Sequence, residues 1–198
     1  MLLIDKQKEL NKISENIKIC TKCSIGTAKP FGLDPHVTFE GNINSRFLFV
    51  GFNPGYNEIK QKRPFVGASG QELRETILNY LKIKENDYFI CNSVNCFTPQ
   101  NRVPSTFEIN NCFSYLEKII EIVNPVCIIL LGTVPVKAVL KKNDFIAKLI
   151  CQKFKYKHYD TYVLPHPASK FRNTYNEKMW YKALEYLKSE VKNFNDYA

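Results

Sequence analysis

Apolar residues along this chain fall into two rhythms. In four places they run almost unbroken: 46–51 (RFLFVG), 87–92 (DYFICN), 126–132 (VCIILLG) and 160–164 (DTYVL). Apolar middles without alternation are expected of parallel strands covered on both faces. Between these runs the spacing changes to three or four. Ile4, Leu10, Ile13 and Ile17 predict an N-terminal amphipathic helix. Leu73, Ile77 and Leu81 follow the pair Ser69 and Glu72, and Tyr115, Ile119 and Val123 follow the pair Ser105 and Glu108. Each Ser–Glu pair has the spacing of a capping box. Asn124-Pro125 ends the second of these helices. A further helix is expected near Thr133-Val134-Pro135, where the first turn tolerates proline. A last one should cover roughly 175–193 with Trp180, Leu184 and Leu187 on its apolar stripe. Strands alternating with helices predict an α/β fold, a three-layer α/β/α sandwich around a mainly parallel four-stranded sheet. No internal repeat, low-complexity tract or long linker interrupts the pattern, so residues 1–198 read as a single domain.

In open α/β sheets, ligands bind beyond the carboxyl ends of the strands. Three segments are expected there: GFNPG at 51–55, CNSVNC at 91–96 and LPHPA at 164–168. The first turns tightly and presents Asn53, a side chain that cannot take up a proton at neutral pH. Composition adds little to the fold but narrows the partners. With 198 residues, 44% hydrophobic and 13% aromatic, the chain can bury a sizeable core and is not disordered. A net charge of +9 suits either an ordinary basic protein or a polyanion partner, whose counterions Lys and Arg would release. The start, MLLIDKQKEL, turns charged at once and predicts no secretory signal. No apolar stretch reaches the ~18 residues that a membrane span requires.

Seven cysteines without a leader predict a reducing compartment, cytoplasmic or nucleoid-associated, where metal binding outweighs disulfides. Cys20 and Cys23 form a C-x-x-C pair, and Cys96 and Cys112 follow with fifteen residues between them. Four thiolates suit structural zinc or an iron–sulfur cluster, and spacing alone does not decide. Cys91, Cys127 and Cys151 lie in or beside apolar segments and read as buried free thiols.

The ordered set of segments resembles the family 4 uracil-DNA glycosylases, the iron–sulfur branch of their superfamily. The likeness covers about residues 15–190. It runs from the C-x-x-C pair through VGFNPG, RPFVGASG at 63–70, CNSVNCFTPQNRVPSTFEINNC at 91–112 and NPVCIILLG at 124–132 to LPHPASKFR at 164–172. The resemblance implies a [4Fe–4S] cluster on Cys20, Cys23, Cys96 and Cys112, in preference to zinc, with a chiefly structural role. It also implies a monomeric enzyme that acts on DNA containing uracil or another deaminated base, with no membrane partner. One motif departs. Where the family has Gly-Glu-Ala-Pro-Gly, this chain has Phe52 and Asn53 in place of Glu and Ala. Gly-x-Asn-Pro-Gly is instead similar to the mismatch-specific and single-strand-selective branches, which place Asn beside the attacking water.

The resemblance and the chemistry of each side chain suggest a division of labour. A glycosylase must extrude its base into a pocket. Phe65 would stack on the flipped base, which gives affinity but no identity. Asn92 would read the base edge, donating to O4 and accepting from N3–H, a pattern that fits uracil and rejects cytosine. His166 would donate to O2 as negative charge builds there. Asn53 would orient the water through its carbonyl oxygen, since an oxocarbenium-like sugar needs an oriented nucleophile more than a strong one. Gly51 would line the pocket, and Phe52 would either line it or pack against the core. Ser169, Lys170, Phe171 and Arg172 would enter the minor groove beside the extruded base. No lysine is evidently placed to form a Schiff base, so the expected product is an abasic site. The alternatives are a glycosylase for hypoxanthine or xanthine and a catalytically silent DNA-binding module.

Overall fold

A computed structural model describes the backbone of residues 3–172 and 174–195; the side chains of 76, 85, 170–172, 174–176 and 192–195 lie outside the described set. The strands are β1 (Glu40–Gly41), β2 (Phe47–Gly51), β3 (Tyr88–Asn92), β4 (Cys127–Leu131), β5 (Lys153–Tyr156) and β6 (Tyr159–Leu164). The helices are α1 (Leu3–Lys18), α2 (Ser24–Thr27), α3 (Tyr56–Gln61), α4 (Ala68–Gln71), α5 (Asn79–Leu81), α6 (Thr106–Val123), α7 (Thr133–Leu140), α8 (Ile146–Leu149) and α9 (Thr174–Asn195). A π-helical turn, Glu72–Leu78, joins α4 to α5.

The sheet has the order β1-β3-β2-β4-β6-β5. Its four central strands are parallel and are those expected from the apolar runs. The sheet has six strands rather than four, because β1 and β5 add antiparallel edges. Each central strand is apolar on both faces for a simple reason. Along β2, Leu48 and Val50 point into one core with Ile13, Ile119 and Ile128, while Phe47 and Phe49 point into another with Ile77, Ile129, Trp180 and Leu184. Side chains alternate across a strand, so two covered faces require an unbroken apolar run. Helices α1, α6 and α7 cover the first face; the 68–81 helical stretch and α9 cover the second. This is the expected three-layer sandwich.

The N-terminal helix buries Leu10, Ile13 and Ile17, but Ile4 is 68% exposed and does not join its stripe. The capping box at Ser105 forms: its hydroxyl accepts from Glu108 N, and the Glu108 carboxylate accepts from Ser105 N. The box expected at Ser69 does not. The helix begins two residues earlier, at Ala68, with Gly67 as its cap. A distant carboxylate, Glu58, accepts from the N–H groups of the cap Gly67 and of Val66 before it.

Candidate active site

The carboxyl ends of β2, β3, β4 and β6 open onto one cavity of about 720 Å³. Phe52, Asn53, Phe65, Asn92 and His166 all line it. The site therefore draws on four separate segments that the parallel sheet brings to one edge.

Gly51 ends β2 and sets the closest approach. A Cβ there would fall 2.4 Å from Phe65 Cζ and 2.5 Å from Asn92 Oδ1, so only glycine lets the ring and the amide converge. Asn92 ends β3 and is 3% exposed, and no described residue hydrogen-bonds its side chain. The amide is thus enclosed and yet lines the cavity. Phe65 is 6% exposed and sits with φ +55°, the left-handed region that a bulky residue avoids.

The loop holding Phe65 is fixed by Glu58. Its Oε1 accepts from Val66 N at 2.9 Å and Gly67 N at 2.7 Å, and its Oε2 accepts from Gly55 N at 3.0 Å. One carboxylate thus binds the GFNPG turn to the loop that carries the aromatic wall. Sequence reasoning passed over Glu58. Its signal was the capping-box spacing from Gly55 at the start of α3.

Asn53 has a defined orientation. Its Nδ2 donates to Pro54 O at 3.0 Å and to Thr98 Oγ1 at 3.2 Å. Thr98 spends its own hydroxyl proton on Arg102 O at 2.5 Å, so its oxygen must accept. The amide nitrogen therefore faces the protein, and Oδ1 is left for the cavity. Arg102 is held in turn by Glu108, with contacts of 2.9 and 2.6 Å. The Arg102 hydrogen bond keeps the Glu108 carboxyl down at about 2.

His166 follows β6. Ala168 N donates to its Nδ1 at 3.3 Å, which puts the ring proton on Nε2. The imidazole rests against the Phe52 ring, with centroids 4.6 Å apart, and a Cβ on Gly132 would collide with that ring at 2.5 Å. Phe52 thus supports His166 and lines the cavity. Ser169 is turned back on the same segment, its hydroxyl donating to His166 O at 2.7 Å. The backbone of 167–172 forms a 3-10 turn, and the side chains of Lys170, Phe171 and Arg172 lie outside the described residues.

Of the four expected ligand cysteines, Cys96 and Cys112 belong to the first core and Cys23 packs against it. Cys20 follows α1, Cys23 caps α2, Cys96 bridges to His36, and Cys112 sits in α6. Burial pushes the Cys112 thiol up to about 11, with the charges of Cys23 and Cys20 adding to the shift. Cys96 is raised by burial and then by Cys112, Cys23 and Cys20. Among the described residues, no three His, Cys, Asp or Glu side chains lie close enough to hold a single metal ion. Cys91 and Cys127 are buried as expected, whereas Cys151 is only half-buried. Among the described residues, no helix is long and apolar enough to cross a membrane.

The arrangement defines an α/β protein with a small-ligand pocket at the carboxyl edge of its sheet. Residues 38–188 match the uracil DNA glycosylase superfamily, and the chain belongs to it. A type-4 uracil-DNA glycosylase of Sulfurisphaera tokodaii is 36% identical over 172 residues, 83% of this chain and 76% of that protein. Enzymes of the same description from Thermotoga maritima and Pyrobaculum aerophilum are 39% and 38% identical, over 64% and 67% of this chain and 64% and 65% of their own lengths.

Proposed function

We propose that this protein is a monofunctional uracil-DNA glycosylase, which flips uracil out of DNA and hydrolyses its N-glycosidic bond to leave an abasic site for base excision repair. The convergence of Phe65, Asn92, His166 and Asn53 on one cavity carries this reading. Phe65 takes the face of the base, and the Asn92 amide pairs with O4 and N3–H. As the bond between N1 and the sugar carbon breaks, its electron pair moves onto the base. The Nε2–H of His166 donates to O2, where that charge collects. Water held by Asn53 Oδ1 adds to the sugar cation and gives up its proton to solvent. None of the described side chains lining the cavity is a lysine, which fits hydrolysis without a Schiff base.

Cys20, Cys23, Cys96 and Cys112 would hold a [4Fe–4S] cluster. The charges of Cys20 and Cys23 act on both Cys96 and Cys112, so the four thiols share one neighbourhood; four thiolates suit zinc or a cluster, and the resemblance to type-4 enzymes favours the cluster. The cluster would cross-link the N-terminal region to the loop after β3 and to α6. The enzyme would act as a monomer in the cytoplasm or on the nucleoid.

The test uses labelled single- and double-stranded DNA with one uracil, treated with alkali to reveal abasic sites. Wild-type protein should excise, and Asn53→Ala should lose about 100-fold or more in single-turnover rate. Excision unchanged by the variant would remove Asn53 from the mechanism. No excision of uracil would move the assignment to hypoxanthine or xanthine, and inertness on all three would leave a silent DNA-binding module.

A further inference from the structure

A second concavity of about 350 Å³ adjoins the first, lined by Lys29, Pro30, Phe31, Phe97, Pro99 and Gln100. Phe31 is 71% exposed and sits with φ +54°, so a bulky ring in a costly backbone conformation keeps most of its surface in solvent. Gln100 on the facing wall has φ +54°. A large aromatic surface left open beside a pocket is available for stacking.

Three rings form a shelf. Phe31 meets Tyr56 edge-on with centroids 5.1 Å apart and Phe97 at 5.9 Å. The shelf is continuous with the base pocket on two sides. Tyr56 lines the larger cavity, and Gln100 is followed by Asn101 and Arg102, which also line it. Lys29 supplies a cation at the rim, on a chain of net charge +9.

We propose that this shelf is a stacking subsite for an unpaired nucleobase next to the extruded one, so that the protein grips single-stranded DNA at two bases rather than one. A strand whose target base enters the large cavity passes over Tyr56. Its neighbouring base can lie on the exposed Phe31 ring only when it is not paired, while Lys29 meets the intervening phosphate. A duplex keeps that neighbour stacked within the helix, and the shelf then contributes nothing. This extends the DNA contact beyond the pocket of the proposed glycosylase, but its test does not depend on excision.

The probe is a single-stranded oligonucleotide with 2-aminopurine, whose fluorescence is quenched by stacking, next to a 2′-fluoro-deoxyuridine that resists excision. Wild-type protein should quench it on binding. Phe31→Ala should weaken single-strand affinity roughly tenfold and abolish the added quenching, leaving duplex affinity unchanged. Phe31→Trp should restore both, and Lys29→Ala should lower the salt slope of binding by about one without removing the quenching. Equal affinity and quenching in wild type and Phe31→Ala would overturn the proposal. So would an equal loss on single strand and duplex, which would mark a general contact or a damaged fold. Uracil excision by the same preparations reports on the glycosylase reading separately.

Discussion

Glu58 supplies no reacting atom, yet three backbone N–H groups point at its carboxylate. Charge-assisted bonds of this kind are stronger than neutral ones, and here they offset the left-handed backbone of Phe65. Glu58→Ala should orphan those donors, at about 1–3 kcal/mol of stability, and let the aromatic wall drift from Gly51. Glu58→Gln should keep the two bonds to Val66 and Gly67 and recover most of the stability. It would turn an N–H donor toward Gly55, so single-turnover excision should stay low while KM changes little. Excision at wild-type rate in both variants, measured well below their melting temperatures, would reduce Glu58 to a fold-stabilising residue. At this scale the sequence was informative where chemistry is local. Asn53, Asn92 and His166 stand at strand ends, and those ends were visible as the limits of apolar runs. Glu58 showed only its local spacing from Gly55 and Thr98 showed nothing, because the contacts that matter most to the site run to residues 8 and 45 positions away.

The elements are coupled through the loop between β3 and α6. Thr98 orients Asn53, Arg102 O takes the Thr98 proton, and Glu108 holds Arg102 while completing the cap of α6. The folded Glu108 carboxyl lies at about 2, held there chiefly by the Arg102 hydrogen bond. Its unfolded counterpart titrates near 4.3. A group depressed on folding stabilises above its unfolded value and loses that contribution as pH falls through its folded one. The melting temperature of wild type minus that of Glu108→Gln should therefore be constant above about pH 5 and shrink from there toward pH 2. A difference that does not vary with pH would mean that Arg102 and Glu108 do not pair in solution. Elements were legible in proportion to their burial. The four central strands are apolar because both faces are covered. β1 has two residues and β5 reads Lys-Phe-Lys-Tyr with alternating exposure, so neither edge stood out from loop. The capping box at Ser105 formed because its acceptors are local. At Ser69 no box forms, because the cap falls at Gly67, whose N–H is held by the distant Glu58 carboxylate.

Across the whole molecule, the cavity and the four cysteines are separate sets of residues joined by one loop. The loop after β3 is their common element: Asn92 at its start faces the cavity, and Cys96, four residues on, belongs to the thiol set. A cluster that ties Cys20, Cys23, Cys96 and Cys112 would therefore hold this loop from outside, as Glu108 holds it from α6. Cys112→Ser should release iron and acid-labile sulfide in equal amounts, bleach the visible absorbance and lower the melting temperature, because metal bound only by the folded chain adds its binding free energy to folding. Cys127→Ala is the control. That thiol is as deeply buried but lies in β4, outside the set, so iron content should be kept despite a cavity cost of up to a few kcal/mol. Zinc without sulfide in the wild-type protein would replace the cluster with a single ion. Loss of iron from both variants alike would mean that core packing, and not the ligand set, governs retention of the metal.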